Sequence, residues 1–419
     1  MFRICVIGGG AAGLAAALFA ARAGADVTVL EKMEKCGKKL RITGKGRCNL
    51  TNTATVEEMQ DKIVRGAKFL RTALYAFPPT ETVRLFESLG VPLKTERGGR
   101  IFPVSDDAND IADALEKAAR DAGAKIVRGR VSAVEKAEYG FAVTADGKTF
   151  PFDRVILATG GASYPGTGST GDGYRFASDM GHRIMEPRPA LVPLVCAGDF
   201  CPACQGLSLK NVSVTVKQDG KTVYTDFGEL LFTHFGLSGP VILSASSTLD
   251  FDGGEPYLLF IDLKPALSRE MLDKRILRDF EEGKNKDLVN VLPKLLPHKI
   301  ILPLLEKADL DPRKKVNEIT RAERNRLIDT VKALSFTVTG ARPLSEAIVT
   351  RGGVDLKEVD PRSMESRLMS GLYFAGEVLN ADARTGGFNL QIAFATGALA
   401  GTAAGMKTPP FGRLMKNEE

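Results

Sequence analysis

The chain opens on Phe2-Arg3-Ile4-Cys5-Val6-Ile7, a short and nearly all-apolar run. That is the pattern of a strand buried on both faces of a parallel sheet. It runs into Gly8-Gly9-Gly10-Ala11-Ala12-Gly13, and an alanine-rich helical stretch follows from Leu14 to Ala23. Gly24 comes next, a residue suited to the left-handed turn that ends a helix. Asp26-Val27-Thr28-Val29-Leu30 reads as a second strand ending at Glu31, so the first 30 or so residues predict one βαβ unit.

Residues 32–55 are rich in glycine and lysine with little periodicity, which predicts a long ordered loop. Such loops inside compact domains usually serve function. Residues 56–90 predict helices, and 110–122 predict another. Lys125 to Val131, Phe141 to Thr144 and Arg154 to Leu157 read as strands, the last closed by Ala158-Thr159-Gly160-Gly161. The proline-punctuated run Pro187 to Pro193 marks a boundary. Past it, Val212 to Val216 and Leu258 to Ile261 carry the β-branched alternation of an antiparallel sheet or small barrel. From Ser268 to about Leu334 the pattern turns helical, with helix starts expected at Ser268 and at Asp311 before Pro312. Strands return near Phe336, Gly371 to Glu377 reads as strand then turn, and residues 390–404 predict an alanine-rich helix. A terminal βα unit of this kind adds to the first sheet. The expected architecture is α/β. A discontinuous first domain (1–190 and 336–419) is interrupted by a β-rich, barrel-like insertion (191–265) and a helical insertion (266–335). No internal repeat is visible.

Composition narrows the class. Of 419 residues, 44% are hydrophobic and 26% charged, which excludes a mainly disordered or collagen-like chain. Glycine is in excess at 43 residues, pointing to tight turns or close backbone approaches. Only three histidines occur, which argues against a His-rich metal site. The net charge of +6 is small and dispersed, a weak signal for nucleic acid, which is not expected as a partner. No apolar run of membrane-spanning length appears and no cleavable signal is evident ahead of Phe2. A cytoplasmic address with reduced thiols is the expectation. Nothing in the pattern specifies an oligomeric state.

The first chemical motif is Gly8-x-Gly10-x-x-Gly13 between a strand and a helix. Its first glycine allows the tight turn, its second admits a pyrophosphate to the backbone, and its third packs helix on strand. The helix N-terminus then favours the negative charge. Glu31 stands 18 residues after Gly13, placed to accept hydrogen bonds from ribose hydroxyls. The unit predicts a Rossmann-like dinucleotide site, and by itself it permits either FAD or NAD.

Two later segments favour FAD by their similarity to known flavoproteins. Ala158-Thr159-Gly160-Gly161 ends a strand as in two-dinucleotide flavoproteins. Tyr373-Phe374-Ala375-Gly376-Glu377 resembles their late strand, with Glu377 near the ribityl chain or phosphates. Gly386-Gly387-Phe388-Asn389 precedes a helix whose N-terminus would face the flavin N1/C2 carbonyl. An ordinary helix with Asn389 as its N-cap fits the same letters. Gly37 to Asn49 reads as a cationic glycine loop offering N–H groups and side chains to phosphate and flavin.

The segments TGKGRCNLTN, ATGGASYPGTGSTGDGY, PALVPL, GELLFTHFGLSGP and FAGEVLNADARTGGFNLQIAFATG together resemble the YhiN/BaiN-type flavoproteins. These are also described as aminoacetone-oxidase-like or NAD(P)/FAD-dependent oxidoreductases. The resemblance spans nearly the whole chain. It implies a tightly bound FAD on a discontinuous domain. It departs at Lys45, where the loop often carries glycine and where a side chain needs room. The cofactor positions expected at the first βαβ unit are Gly8, Gly10, Ala11, Ala12, Gly13, Glu31 and Lys32. The cationic loop adds Lys39, Leu40, Thr43, Gly44, Gly46, Arg47, Cys48 and Asn49. Val131, Ala158, Thr159 and Gly160 follow, and the last part contributes Gly376, Glu377, Gly387, Phe388, Asn389 and Leu390.

Catalytic assignments are less specific. His234 in Phe232-Thr233-His234-Phe235-Gly236 is a candidate acid or a packed histidine. Tyr164 and Arg384, each next to a glycine turn, are candidates to reach flavin or substrate. Cys196 and the pair Cys201-x-x-Cys204 read as structural thiols, a redox dithiol or half a metal site. Cys48 reads as packed. The basic run Arg313-Lys314-Lys315 reads as a solvated face. No second strand–GxGxxG–helix unit exists, and Gly168 to Gly173 lacks its spacing, so NAD(P)H, if used, is expected as a transient donor. The expected function is an FAD-dependent oxidoreductase acting on a small organic substrate. By the family resemblance the reaction is NAD(P)H-linked reduction of an activated C=C bond of the bile-acid-intermediate type. The alternatives are oxygen-dependent oxidation of a small, aminoacetone-like amine, or a non-catalytic flavin-binding or RNA-associated protein.

Overall fold

The structure is a computed structural model that describes residues 1–251, 253 and 255–406. It comprises two compact units, Met1–Ala190 with the chain from Leu344 onward, and Leu191–Pro343. Each has its own hydrophobic core.

The first unit is built on a five-stranded parallel sheet in the order Leu372–Phe374, Arg154–Leu157, Arg3–Ile7, Asp26–Glu31, Lys125–Arg128. Ile4, Cys5 and Val6 are wholly buried, as the unbroken apolar run requires of a central parallel strand. The helix Ala11–Arg22 follows that strand and packs along the C-terminal helix Phe388–Gly405. This contact explains part of the glycine excess. A Cβ on Gly397 would lie 2.4 Å from the carbonyl oxygen of Ala12, and one on Gly401 would lie 2.2 Å from that of Ala16. The two helices therefore meet backbone to backbone along a Gly/Ala seam, and no larger residue fits there.

Local structure departs from the sequence pattern in instructive places. The loop expected over 32–55 contains the short helix Lys38–Ile42, a tight turn at Thr43–Gly46 and the strand Thr51–Asn52. Residues 56–90 hold three helices, Val56–Gln60, Ala67–Ala76 and Pro79–Ser88. Between the first two lies the strand Ile63–Arg65, whose partner Asp382–Ala383 is more than 300 residues away. Its existence depends on that distant partner, so no local periodicity announces it.

In the second unit, six strands close a barrel: Leu194–Cys196, Gly236–Ser238, Lys221–Thr233, Ser208–Gln218, Tyr257–Asp262 and Leu334–Ala341. The last strand pairs with Tyr257–Asp262 and Leu194–Cys196. The strand signal near Phe336 therefore belongs to the barrel, where the sequence pattern had suggested a return to the first domain. The helices Arg269–Glu282, His298–Lys307 and Arg321–Lys332 share one apolar cluster with the barrel strands. Val214, Leu259, Ile276, Ile301 and Ile328 are all within it and almost wholly buried, so the split at 265 divides one core. Ser268 caps its helix by accepting from the Met271 N–H. Asp311 starts no helix. Its carboxylate accepts from the Arg313 N–H at 2.9 Å, the local side-chain turn that competes with helix, and the next helix waits for the Thr320 cap.

Candidate functional site

The first unit brings most of the expected cofactor residues to the C-terminal ends of its parallel strands. Gly8 has φ +104°, and a Cβ there would strike the Ala158 carbonyl oxygen at 2.5 Å. A Cβ on Gly13 would lie 1.8 Å from the Gly8 oxygen, the close helix–strand approach that only glycine permits. Gly10 differs: its Cβ would meet nothing within 4 Å. Gly10 is also the N-cap of Ala11–Arg22, and no side chain caps that end. Open space above an uncapped helix N-terminus suits a pyrophosphate.

Glu31 accepts from the Gly9 N–H at 2.6 Å on one oxygen and from the Met33 N–H at 2.7 Å on the other. This pins the glycine loop to the end of the second strand and leaves one lone pair per oxygen for a ribose hydroxyl. Lys32 pairs with Asp172 at 2.5 Å and also donates to Thr170. Burial raises the Asp172 carboxyl, and the Lys32 and Thr170 hydrogen bonds more than offset it, so the group sits below its ordinary value.

The cationic loop is ordered by its own contacts. Gly44, Lys45, Gly46 and Cys48 all adopt positive φ, and Lys45 at φ 60° carries a side chain where the family resemblance leads one to expect glycine. Left-handed backbone costs a non-glycine residue roughly 1–2 kcal/mol. Thr43 donates its hydroxyl to the carbonyl of buried Leu40 at 2.6 Å. Arg47 binds Glu96 and Asp106 and lies over the Phe102 ring at 4.4 Å, so its guanidinium is engaged within the protein. Cys48 is fully buried, and burial pushes its thiol up to about 12, so it stays protonated. The Asn49 amide accepts from the Gly387 N–H at 3.0 Å and donates to the Thr51 carbonyl at 3.2 Å.

Lys39 joins this loop to the last part of the chain. Its ammonium donates to Glu377 at 2.8 and 3.1 Å and to Ser163 at 2.8 Å. Glu377 also accepts from the Ser163 hydroxyl and the Thr350 N–H. Thr350 in turn accepts the Ala162 and Ser163 N–H groups at 2.9 and 3.0 Å. Ser163 and Thr350 escaped the sequence pattern. Ser163 lies inside the Ala158–Tyr174 motif, whereas Thr350 carries no signal of its own.

The helix Phe388–Gly405 begins at Gly387, which has φ +92° and no side-chain cap. Asn389 is therefore not its N-cap. It sits inside the first turn, and its amide brackets Ala383 by accepting from the N–H and donating to the carbonyl. Phe388 is buried, and Leu390 packs partly buried on the core. Gln391, wholly buried and unflagged by the sequence, accepts from Thr51 and Thr82 and donates to the Phe77 carbonyl. Gly376 has φ +75° and would place a Cβ 2.6 Å from that of Ala12, so the turn after the last strand rests on the first helix. Gly160 likewise turns with positive φ after Ala158 and Thr159, and Val131 opens the antiparallel strand Val131–Lys136. Asp382, another unannounced residue, is wholly buried and takes both its hydrogen bonds from one Arg65 nitrogen at 2.9 and 3.1 Å.

The catalytic candidates are dispersed. Tyr164 is 38% exposed and held at φ 51° in the first unit. Arg384 is anchored there by its N–H donating to the Lys62 carbonyl. His234 belongs to the second unit, exposed at the turn between two barrel strands with its ring against Phe235. Cys196, Cys201 and Cys204 are free, buried thiols in the barrel core. A hydrogen bond to Cys196, then burial, raise Cys201, and burial pushes Cys204 up to about 11. Among the described residues no group of three or more His, Cys, Asp or Glu side chains is arranged to hold a metal. No described helix is long and apolar enough to cross a membrane.

The open space at Gly10 and two uncapped helix N-termini fit a dinucleotide with an anionic pyrophosphate and an electron-accepting ring. The fold and the family match define a Rossmann-type FAD-dependent oxidoreductase. The chain belongs to the HI0933-like protein Rossmann domain family, which matches residues 2–403. It is 36% identical to the 3-dehydro-bile acid delta(4,6)-reductase of Clostridium scindens, covering 96% of this chain and 99% of that one. It is 32% identical to the ribosomal RNA dihydrouridine synthase of Haemophilus influenzae, covering 93% and 95%. The 3-ketosteroid delta1-dehydrogenase of Sterolibacterium denitrificans shares the fold, with a TM-score of 0.50 at 15% identity over 96% of this chain and 99% of that one.

Proposed function

We propose that the protein reduces a carbon–carbon double bond conjugated to a carbonyl, with FAD as resident cofactor and NAD(P)H as a transient donor. The observation that carries this reading is the full-length similarity to two relatives whose names describe one kind of chemistry. A delta(4,6)-reductase acting on a 3-dehydro bile acid saturates alkenes in line with a ketone. Forming dihydrouridine saturates the uracil alkene next to a carbonyl. In both, a hydride adds to the far carbon and a proton to the near one.

FAD, when bound, supplies hydride transfer at its N5 position. The chain's own residues do the rest. The Gly8–Gly13 loop and the first helix hold the pyrophosphate, and Glu31 holds a ribose. Lys39 and Glu377 bind the first and last thirds of the domain together at the site. The uncapped N-terminus of Phe388–Gly405 would hold the ring end of the cofactor and favour negative charge there. Tyr164, in strained backbone with its side chain open to solvent, is the group we assign to deliver the proton from its hydroxyl. Arg384 is the group we assign to steady the carbonyl oxygen.

Anaerobic stopped-flow mixing with NADH and NADPH tests this. Bleaching of the flavin by one of them, followed by reoxidation on a 3-keto-4,6-diene steroid faster than on oxygen, is the expected result. If neither nicotinamide reduces the flavin while a small amine does, the protein is an amine oxidase. A second reading is favoured by the two relatives named ribosomal RNA dihydrouridine synthase, at 32% and 30% identity. It keeps the chemistry and changes the substrate to a uridine in ribosomal RNA. Mass spectrometry of rRNA incubated with enzyme and NADPH decides between them by the gain of two hydrogens on one nucleotide.

A further inference from the structure

The barrel of the second unit has a gap in its wall. The strand Ser208–Gln218 pairs with Lys221–Thr233 from Ser208 onward, but with Tyr257–Asp262 only from Ser213 onward. At Asp262 the partner strand ends, and Leu263 leaves the barrel ladder to donate to the Val331 carbonyl. Among the described residues no barrel strand pairs with Ser208–Val212 on that side. A bulge between Leu209 and Val212 adds to this, setting Lys210 and Asn211 against a single residue of the neighbouring strand. Bulges of this kind re-aim side chains and gather beside binding sites.

The gap is a groove of ≈ 220 Å³. Leu209, Val212, Leu263, Leu296 and Ile300 line it and are all buried, giving an apolar floor. Its other lining residues include two lysines, Lys210 and Lys264, and no carboxylate. Among the described residues neither ammonium has a hydrogen-bond or ion-pair partner. Asp262 and Asp279 are committed elsewhere, to Lys332 at 2.6 Å and to Arg275 at 2.8 Å, and Glu229 accepts from the Ser208 hydroxyl. Burial and the neighbouring Arg275 charge hold Lys264 below its ordinary value, the sign of a positive charge without compensation.

An apolar floor with two uncompensated cations calls for an amphipathic anion. The volume sets its size. It falls under the roughly 300–1,000 Å³ usual for drug-sized ligands, so a steroid nucleus is too large and a single acyl chain is not. We infer that this groove binds a medium-chain alkanoate, its carboxylate between Lys210 and Lys264 and its chain on the leucine–isoleucine floor. The site lies wholly within the second unit and does not depend on the reductase reading.

Isothermal titration of the full-length, FAD-loaded protein with octanoate tests it. The expected result is saturable binding at one site that weakens with salt, and at least roughly tenfold weaker binding of 1-octanol, which has the same chain without the charge. Lys264→Gln and Lys210→Gln should each lower octanoate affinity about tenfold. Lys210 is exposed, so its variant folds and decides the matter alone if Lys264→Gln does not. Absence of saturable octanoate binding, equal binding of octanol, or wild-type affinity in the folded Lys210→Gln protein would each overturn the proposal.

Discussion

The Lys39 ammonium lies 2.8 Å from a carboxylate oxygen of Glu377, a contact made across 338 residues of chain. Both side chains are about one-fifth exposed, at 23% and 19%. The pair is therefore neither a surface ion pair of negligible worth nor a fully desolvated one. Its setting gives it weight, because Glu377 also collects Ser163 and the Thr350 N–H. One carboxylate thereby holds the cationic loop, the turn after the strand Arg154–Leu157 and the strand Val349–Val354 together at the candidate site.

Glu377→Ala should cost more than Lys39→Met. The first strips the acceptor from three donors at once, at about 1–3 kcal/mol for each donor left buried and unpaired. The second leaves Glu377 with two of its partners. Urea unfolding of the apoproteins should rank them so, with a coupling of about 0.5–3 kcal/mol between the sites in a double-mutant cycle. FAD titration should show about tenfold weaker binding for Glu377→Ala. Equal effects of the two substitutions on both readouts would mean the carboxylate serves Lys39 alone.

Gly10 and Gly13 should separate cofactor binding from folding. Gly10 has an ordinary extended backbone, φ −80° and ψ −169°, and open space where a methyl would go. Gly10→Ala should fold with a melting temperature near that of the wild-type apoprotein and emerge colourless, because the methyl occupies the place of the phosphate. Gly13→Ala places its methyl 1.8 Å from a backbone oxygen and should fail to fold or lose several kcal/mol. A yellow Gly10→Ala protein with wild-type FAD affinity would remove the pyrophosphate from this position.

The contrast between these glycines also shows what could be read from the letters. The strand–turn–helix at Gly8, Gly10 and Gly13 and the placing of Glu31 at the end of the second strand are legible because they follow from one local geometry. Gly397 and Gly401 lie in a helix that periodicity predicts well, but their purpose depends on the Ala12 and Ala16 carbonyls of another helix. Thr350, Gln391 and the Arg65–Asp382 pair were illegible for the same reason: each is defined by partners brought together only by the fold. The strand Leu334–Ala341 is legible as strand near Phe336, but its place in the barrel and not in the domain expected from 336 onward is not, since strand propensity carries no address. The sequence shows the charge of Arg47 and hides its partners Glu96 and Asp106.

The thiols of the barrel should be inert. Cys196, Cys201 and Cys204 are buried, and Cys201 and Cys204 are pushed up in pKa, so those two carry almost no thiolate at neutral pH. Ellman's reagent should label none of the three in the native protein within minutes and all of them after unfolding. Cys201→Ala with Cys204→Ala should leave the rate of flavin reduction unchanged. Rapid native labelling of Cys201 would restore the redox reading of the Cys201-x-x-Cys204 pair.

Removing Arg65 should be severe. Asp382 is completely buried, and both hydrogen bonds its carboxylate receives come from Arg65. Burial raises this carboxyl, the Arg65 charge and hydrogen bonds and then the Arg351 charge pull it back, and the net is an elevation. Arg65→Met strands a buried charge and should destabilise the protein by about 3–5 kcal/mol at pH 7. Adding Asp382→Asn should recover a good part of that loss. The sign with pH follows from the raised value: the variant should lose least in acid, where Asp382 is protonated, and most above the raised pKa. A loss independent of pH would show that the pair acts through packing alone.

Glu323 should dominate the acid sensitivity of the second unit in the opposite sense. It accepts from the Lys314 ammonium at 2.7 Å and from the Thr320 N–H at 2.8 Å, closing the capping box of Arg321–Lys332. These contacts, the Lys314 bond first, push its carboxyl from 4.5 down to about 2. A lowered folded-state pKa contributes stability that is present above pH 4.5 and fades as pH falls towards 2. Glu323→Gln keeps a side chain able to close the box but cannot titrate. Unfolding free energies from urea should therefore differ between wild type and variant at pH 6 by about 1 kcal/mol at most, given the solvent screening of a part-exposed pair, and converge by pH 2.5. Urea midpoints that stay equally far apart at both pH values would place the acid limb on another carboxylate.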